Sequence, residues 1–418
     1  MKGTTVTLAV LSAGLMGVAS AQSFRRDTDT IVMGQGYQRQ VYYQLSSGQQ
    51  DTAGRCSWHL AFEVPIRGAA IRVNHPCGVV VYKTIRDTSQ WAQVSLSDTV
   101  HPLYDDLCRW EVGAFNTTAG PNPFDVGWGL YSLTDHITRG DSLYIIRVGG
   151  VFKKLWIQRL QGTNYFIRIA NLDGSQDTSY AVSKTRAPGK NFVYLNLSTH
   201  QVLDIEPTPQ GWDLLFTQYT RLLAPPNDPN NPIPYNLTGV LMNLGVRAVR
   251  VRLTSQANPD TLTPSAYSLD SCISVIGDDW KRFTGSGWAL ADTLYFLVRD
   301  RADNLWRIRF IGFGGSATGM IVLEKVLIQR NTALITDRTT EAIRVYPQPA
   351  QEGIYVVMPE LGVAQIELLT LTGDQALKTV LTSGEAVYVP RPAGLTSGIY
   401  LLRITTPVGS WTRRVCFE

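Results

Sequence analysis

The sequence predicts an all-β protein: two tandem, duplicated antiparallel β-domains followed by a small C-terminal β-sandwich. Three observations predict this class, namely composition, short alternating apolar segments, and motifs that recur at a roughly constant separation. The chain has 418 residues, of which 44% are hydrophobic, 10% aromatic and 17% charged. A chain of this length holds two or three domains, and its aromatic side chains pack well on pleated sheets.

The charge balance argues against a nucleic-acid partner. The net charge is +4, from 38 Lys and Arg against 34 Asp and Glu, and no run of like charges occurs. Binding to a polyanion requires a basic patch or tail. We therefore expect neither nucleic acid nor another polyanion as a partner.

Residues 1–21 have the pattern of a signal peptide. Lys2 precedes the apolar stretch Val6–Ala19, and Ala19-Ser20-Ala21 forms a small-x-small cleavage site. The apolar stretch is shorter than the roughly 20 residues that span a bilayer, and no later segment comes close. We expect cleavage after Ala21, export, and no transmembrane segment in the mature chain.

Export favours disulfide formation among the cysteines. No two of them have the Cys-x-x-Cys spacing of a zinc or thioredoxin site; they are Cys56, Cys77, Cys108, Cys272 and Cys416. A hairpin turning at Pro65–Gly68 places opposite each other positions whose numbers sum to about 133, as 56 and 77 do. The sequence therefore predicts a Cys56–Cys77 disulfide.

The chain contains an internal duplication. Four blocks recur in the same order with offsets of 150 to 164 residues. The pairs begin at Val41 and Val193, Trp58 and Trp212, Cys108 and Cys272, and Asp141 and Asp292. We predict a first β-domain at residues 22–185 and a second at residues 186–330.

The repeated blocks have the pattern of strands. Trp58, Leu60 and Phe62 alternate with small or polar residues, which predicts one buried sheet face and puts His59 on the other face. A three-strand meander is expected at residues 143–148, 153–159 and 165–170, and again at 294–299, 305–311 and 320–327.

The pattern changes after a polar linker, residues 331–341. Residues 342–418 hold six basic and six acidic residues, and short apolar segments separated by Gly and Pro. Five strands over 77 residues predict a small sandwich; they are Ile354–Met358, Ala364–Leu371, Ala386–Val389, Ile399–Thr405 and Thr412–Phe417.

No arrangement of residues points to an enzyme or a metal centre. Gly312–Ala317 fits Gly-x-Gly-x-x-Ala, but a strand follows it where a dinucleotide site needs a helix, so a hairpin turn is expected. Asp105-Asp106 and Asp278-Asp279 are adjacent carboxylates; adjacent residues of a strand point to opposite faces, so neither forms an acid/base pair, and a solvated turn is expected at each. Metalloprotease, nucleotide-binding and serine-hydrolase motifs are absent from the sequence. We expect a protein without enzymatic activity.

The C-terminal segment resembles the type A sorting domain of the type IX secretion system of Bacteroidota. The matching blocks begin at Tyr346-Pro347-Gln348-Pro349, Leu371-Thr372-Gly373, Gly398-Ile399-Tyr400 and Thr412-Arg413. The resemblance implies recognition by the type IX machinery after Sec export. It also implies removal of the segment as the protein is attached to surface lipopolysaccharide or released, which places cleavage in the linker near Thr340.

Most of residues 28–330 resembles two HmuY-like domains. The Trp-Asp-x-x-Phe motif of that family is present as Trp212–Phe216 and, with His in place of Asp, as Trp58–Phe62. The Gly-x-Asp-Trp block is present as Gly277–Trp280, and the closing meanders hold Trp156 and Trp306. The resemblance implies a surface protein that binds haem. The duplication, the sorting domain and the lack of a lipoprotein cysteine are departures from the family.

In that family the haem ligands fall between the Trp strand and the closing meander. This interval of the first half holds His75, His101 and His136, and position favours His101 and His136 as axial ligands. The corresponding interval of the second half, residues 219–291, has no histidine. Ordinary surface histidines are the alternative interpretation.

Two functions follow from these observations. The first is an exported cell-surface or secreted ligand-binding protein of the HmuY-like type, with haem as its ligand. The alternative is an adhesive or structural surface protein that binds peptide or glycan without haem. A haemin titration distinguishes the two.

Overall fold

The computed structural model describes residues 25–331, 344–357, 364–381, 387–406 and 409–418. The chain divides into two compact units, the first ending at Asn331 and the second beginning at Thr332. The predicted signal peptide, residues 1–21, lies outside the described residues. So does the predicted linker, residues 331–341, apart from Asn331.

The regular secondary structure of the described part of the first unit is mainly β-strand, with short 3₁₀ turns and one four-residue α-helix, Gly315–Thr318. The strands of its first part are β1 (Arg26–Val32), β2 (Arg39–Tyr43), β3 (Gln50–Gly54), β4 (Leu60–Glu63), β5 (Ile71–Val73), β6 (Val80–Thr84), β7 (Thr99–Leu103), β8 (Gly129–Tyr131), β9 (Ile137–Gly140), β10 (Leu143–Val148), β11 (Val151–Gln161), β12 (Asn164–Asn171) and β13 (Thr178–Ser183). Those that follow are β14 (Phe192–Asn196), β15 (Gln201–Leu203), β16 (Leu214–Leu223), β17 (Ile233–Met242), β18 (Arg247–Arg252), β19 (Lys281–Phe283), β20 (Trp288–Leu290), β21 (Leu294–Arg299), β22 (Leu305–Phe313) and β23 (Met320–Gln329). The prediction of an all-β protein is confirmed.

Four antiparallel sheets account for most of these strands. Sheet I has the order β13-β12-β11-β10-β6-β7, with β9 pairing β11 and β8 pairing β9. Sheet II has the order β15-β14-β4-β5, and sheet III the order β17-β16-β2-β3. Sheet IV has the order β1-β23-β22-β21-β18, and β19 and β20 form a separate hairpin.

The sheets stack in four layers, because both faces of sheets II and III are apolar. One hydrophobic cluster joins sheets I and II, a second joins II and III, and a third joins III and IV. Strand β2 shows the cause: Val41 and Tyr43 face sheet IV, whereas Tyr42 between them faces sheet II. Period-two alternation of apolar residues on both faces thus produces a middle layer between two cores.

The two repeats exchange strands reciprocally. Strand β2 of the first repeat pairs with β16 of the second, and β14 of the second pairs with β4 of the first. The registers match: Val41 lies opposite Phe216, and Val193 lies opposite Phe62. The boundary predicted at residues 185 and 186 describes the repeat in the sequence, and the hydrogen-bonded sheets cross it.

One sequence prediction about this region is wrong. Trp58 does not share the buried face of Leu60 and Phe62, because it packs in the layer between sheets II and III while they pack against sheet I. Strand β4 begins at Leu60, so the strand alternation does not extend back to Trp58. Trp212 differs in the same way from Leu214 and Phe216.

The described part of the second unit is a small sandwich. Its strands are β24 (Arg344–Tyr346), β25 (Gly353–Val357), β26 (Ala364–Leu369), β27 (Gln375–Leu381), β28 (Val387–Pro390), β29 (Gly398–Thr406) and β30 (Gly409–Phe417). They form sheets of order β24-β25-β28 and β27-β26-β29-β30 around one apolar core. Strands β24 and β27 are additions to the five predicted ones.

Candidate functional site

A cavity of about 70 Å³ lies in the layer between sheets II and III. Strands of both repeats line it, because sheet II combines β4 and β5 with β14 and β15, and sheet III combines β2 and β3 with β16 and β17. Aromatic side chains dominate the lining; they are Tyr42, Trp58, Trp110, Phe192, Tyr194, Trp212 and Tyr219. An apolar cavity with few polar groups is the usual form of a ligand site.

Two equivalent tyrosine–tryptophan pairs stand in this cavity. Tyr42 packs edge-on against Trp212, and Tyr194 packs edge-on against Trp58, with ring centroids 5.1 Å apart in both pairs. Tyr42 and Tyr194 are equivalent in the repeat, as are Trp58 and Trp212. Each pair joins residues of different repeats, so the cavity wall has approximate two-fold symmetry.

The indole N–H groups of Trp58 and Trp212 are buried and have no hydrogen-bond partner among the described residues. Trp212 is 1% exposed. By contrast, Trp110 in the same cavity donates its indole N–H to the Met242 carbonyl at 2.7 Å. Buried polar groups are nearly always paired in folded proteins. The fold thus leaves the hydrogen bonds of these two donors unmade.

A buried hydrogen-bonded network forms another part of the lining. Gln40 donates to the Tyr42 hydroxyl at 2.7 Å, and the Tyr194 hydroxyl donates to Glu206 Oε2 at 2.9 Å. Glu206 also accepts the backbone N–H groups of Asn191 and Phe192. Burial raises the pKa of Glu206 from its ordinary value of 4.5 to about 7, against the opposing effect of these hydrogen bonds.

The charged side chains of Arg72 and Asp105 in the cavity lining are engaged with each other and with the backbone. Arg72 donates to the carbonyls of Asp106 and Arg109, both at 2.9 Å, and pairs with Asp105 at 3.8 Å. Its guanidinium also lies 4.9 Å from the centre of the Trp110 ring. Arg72 therefore fixes the 105–112 loop rather than offering a free cation.

Three histidines lie in the interval predicted to hold the haem ligands, and of these only His75 lines the cavity. Its Nε2 lies 2.9 Å from the Leu103 carbonyl, and burial lowers the pKa of the imidazole. A neutral imidazole that donates Nε2–H to a carbonyl leaves Nδ1 as its acceptor. His75 thus contributes a neutral, mostly engaged side chain.

Two disulfides hold this region. Cys56 and Cys77, the pair chosen from the sequence, are joined with an S–S distance of 2.04 Å. Strands β4 and β5 have the register derived from the turn, with Leu60 opposite Val73. Their numbers sum to 133, as predicted.

The second disulfide, Cys108–Cys272, was missed by the sequence analysis, although the two cysteines were recognised as equivalent. A signal was present in the repeated Asp-x-Cys spacing. Asp106 accepts the Cys108 N–H at 2.6 Å, and Asp270 accepts the Cys272 N–H at 2.9 Å. The same turn presents each cysteine, and the strand exchange brings the two turns together.

The structure does not bring His101 and His136 together. His101 lies in β7 beside Pro102. Pro102 pairs with Tyr82 of β6, Tyr82 pairs with Ile145 of β10, and Ile145 pairs with Lys154 of β11. His136 precedes β9, whose Ile137 pairs Gln161. Strand β9 pairs with the same edge of β11 as β10 does, so β9 is two strand steps from β7. With strands ~4.8 Å apart and ~3.3 Å per residue, two strand steps and seven residues separate the two histidines by more than about 20 Å.

Both side chains are exposed, and His136 Nδ1 lies 2.7 Å from the Tyr131 hydroxyl. Axial ligands must approach one iron from its two faces. The placement of these two histidines thus lends no support to a bis-histidine site. No cluster of His, Cys, Asp or Glu suited to a metal ion occurs among the described residues.

His59 has a structural role that the repeat explains. Its Nδ1 accepts the Leu197 N–H at 2.8 Å, just as Asp213 Oδ2 accepts the Leu45 N–H at 2.8 Å. Leu45 and Leu197 follow the exchanged strands β2 and β14. The residue that follows the tryptophan, His59 in one repeat and Asp213 in the other, therefore accepts a hydrogen bond that holds the strand of the other repeat in place.

The predicted sorting residues lie in the second unit. Tyr400 is buried against Phe417 and donates its hydroxyl to the Thr396 carbonyl at 2.8 Å. Gly398 begins β29 and pairs with Phe417 of β30, and Arg413 of β30 pairs with Leu402 of β29. Tyr346, followed by Pro347 and Pro349, stacks on Tyr355 with centroids 5.8 Å apart. The Gly-Ile-Tyr block thus places a core aromatic residue in the sandwich.

In the described residues no helix is long and apolar enough to cross a membrane. A comparison with curated proteins finds no match. Residues 344–418 match the family of secretion system C-terminal sorting domains. This match, on the sandwich just described, identifies the protein as one that the type IX secretion machinery exports to the cell surface or the extracellular space.

Proposed function

We propose that this exported protein is a binding protein and that the cavity between sheets II and III is its ligand site. The observation that carries the proposal is the pair of buried, unpartnered indole N–H groups of Trp58 and Trp212. A buried donor without an acceptor costs about 1–3 kcal/mol. An acceptor on a ligand recovers that free energy, which favours binding.

The size of the cavity bears on the two ligand classes that the sequence left open. A volume of about 70 Å³ is far too small for a porphyrin, and a cavity of about 150 Å³ holds only benzene. A small group projecting from a larger molecule fits better. This supports the peptide or glycan alternative for this site, whereas haem, the ligand implied by the HmuY-like resemblance, needs a different site.

The proposal is tested with residues 22–418 on peptide and glycan arrays, comparing the wild type with Trp212→Phe. This variant keeps an aromatic ring and removes the N–H donor. Trp91→Phe is the matched control, because the Trp91 indole already donates to Asp177 at 3.0 Å outside the cavity. We expect ligands retained by wild type and control but weakened in Trp212→Phe. Equal retention by all three would contradict the proposed site.

Haemin titration of the same protein tests the haem alternative. We expect no Soret shift that depends on Trp58 or Trp212. A stoichiometric Soret band abolished by Trp212→Phe would make the cavity part of a haem site and would refute the peptide or glycan assignment.

Attachment to surface lipopolysaccharide is proposed on the resemblance of the sorting domain alone. It requires removal of that domain in the predicted linker near Thr340. Mass spectrometry of the surface form is expected to find peptides up to that region and none from Val345–Arg391. Peptides from Val345–Arg391 in the surface form would refute the proposed processing.

A further inference from the structure

We propose that the cavity takes an acetamido group, that is, a neutral carbonyl acceptor with its methyl, carried by a larger ligand. The inference rests on the proposed function, because it assigns the chemistry of that same site. It follows from three properties of the cavity: its free hydrogen-bonding groups, its charge and its size.

Among the described lining residues, the buried side-chain atoms without a hydrogen-bond partner are two donors, the indole N–H groups of Trp58 and Trp212. An indole N–H donates and cannot accept, so Trp58 and Trp212 each call for an acceptor. The neighbouring polar side chains are already engaged, since Gln40 donates to Tyr42, and Tyr194 donates to Glu206. A carbonyl oxygen, with two lone pairs and no proton, satisfies such a donor without bringing a new unpaired donor of its own.

The charge of the lining disfavours an ionic group. Arg72 is neutralised by Asp105 and by backbone carbonyls, so it offers no charge to a carboxylate. Glu206 is buried with its oxygens occupied by three donors, which leaves no open carboxylate for a cation. An ion transferred into this layer would lose its hydration without gaining a partner. The bound group is therefore neutral.

The size selects a group of a few atoms. On the scale by which about 150 Å³ holds benzene, 70 Å³ holds about three non-hydrogen atoms. The carbonyl carbon, the oxygen and the methyl carbon of an acetamido group are three such atoms, and the methyl matches apolar wall residues such as Phe192, Leu215 and Leu241. A sugar ring or an indole ring is larger than this space.

The two-fold relation of the site adds a second donor for the same ligand. Trp58 and Trp212 belong to equivalent pairs on opposite walls, so the second indole N–H is available to a neighbouring acceptor. N-acetylated sugars and acylated or amide-rich peptides both carry successive groups of this kind. The acetamido chemistry is common to both sources, and the experiment separates them.

The test uses residues 22–418 with ¹⁵N-labelled tryptophan, which gives ten indole N–H signals. Acetamide is titrated first, with acetate and glucose as an anionic and a hydroxyl-only control. Trp58→Phe and Trp212→Phe assign the two cavity signals, and Trp91→Phe serves as the paired-indole control. We expect acetamide to shift the Trp58 and Trp212 signals, and acetate and glucose to leave them unchanged.

N-acetylglucosamine and N-acetylglycine amide then distinguish a glycan from a peptide source by which of them binds more tightly than acetamide. Loss of one N–H donor in Trp212→Phe should weaken the better ligand about 5-fold, as expected for one net hydrogen bond. If acetate or glucose shifts both signals and acetamide does not, the acetamido assignment is overturned while the cavity remains the ligand site. If every probe fails and binding on the arrays is insensitive to Trp212→Phe, both the acetamido assignment and the proposed binding site are overturned.

Discussion

Cys108 and Cys272 occupy equivalent positions in the two repeats and are joined to each other, with their Cα atoms 4.0 Å apart. A disulfide between equivalent residues requires the two copies of one turn to meet near an approximate two-fold axis. The equivalent contacts of Tyr42 with Trp212 and of Tyr194 with Trp58 lie in the same layer. The candidate site is thus a product of the association of the two repeats.

Separate halves should fold poorly. Fragment 22–185 lacks β14, which pairs β4, and fragment 186–331 lacks β1 and β2, which complete sheets IV and III. We expect neither fragment alone to show a cooperative thermal transition by circular dichroism, and the mixed fragments to regain one. A cooperative transition in either isolated fragment, with the same melting temperature as the full chain, would show that the strand exchange is not needed for folding.

The Cys108–Cys272 disulfide should contribute more stability than Cys56–Cys77. The sequence separations are 164 and 21 residues, for which the chain-entropy relation gives about 5 and about 3 kcal/mol. We expect Cys108→Ser with Cys272→Ser to lower the free energy of unfolding by more than Cys56→Ser with Cys77→Ser. Urea unfolding of the two double variants measures this, and an equal or reversed order would contradict the expectation.

Glu206 should make stability fall between pH 5 and pH 8. Its folded pKa of about 7 exceeds the ordinary value of 4.5, so the folded state binds more protons than the unfolded state in this range. The stabilisation is complete below about pH 4.5 and is lost as the pH rises through 7, by on the order of 3 kcal/mol.

Glu206→Gln removes this titration. As the pH rises from 5 to 8, we expect the free energy of unfolding of the wild type to fall by more than that of Glu206→Gln. Asp228→Asn, in an exposed loop, is the control and should run parallel to wild type. A Glu206→Gln curve parallel to wild type would show that Glu206 does not titrate in this range.

His59 should be replaceable by aspartate but not by alanine. His59→Ala leaves the buried Leu197 N–H without an acceptor, at a cost of about 1–3 kcal/mol. His59→Asp reproduces the acceptor that Asp213 provides in the other repeat. Chemical unfolding of both variants tests this, and equal losses would mean that the hydrogen bond is not the source of the effect.

The pair His101 and His136 should be dispensable for any haemin binding. Because they stand far apart in sheet I and are exposed, they cannot ligate one iron in this fold. We expect His101→Ala with His136→Ala to give the same haemin absorption spectrum as the wild type. Loss of a low-spin spectrum in the double variant would restore the sequence prediction.

The sequence by itself determined the all-β class, the duplication, the register of the first hairpin and the sorting segment. These features depend on local alternation, on turns and on short blocks, such as Trp58–Phe62 and Gly398–Tyr400, that can be compared along the chain. The Cys56–Cys77 pair belongs with them, because a single turn relates its two positions.

Only the tertiary structure decided which strands complete each core. Strand pairing between β2 and β16 spans more than 170 residues, and alternation specifies which face is apolar without specifying the partner. The layer that holds Tyr42, Trp58, Tyr194 and Trp212 exists because both faces of sheets II and III are buried, which the pattern of one strand does not show. The Cys108–Cys272 pair and the unpaired indole N–H groups follow from that long-range association and were therefore beyond the reach of the sequence.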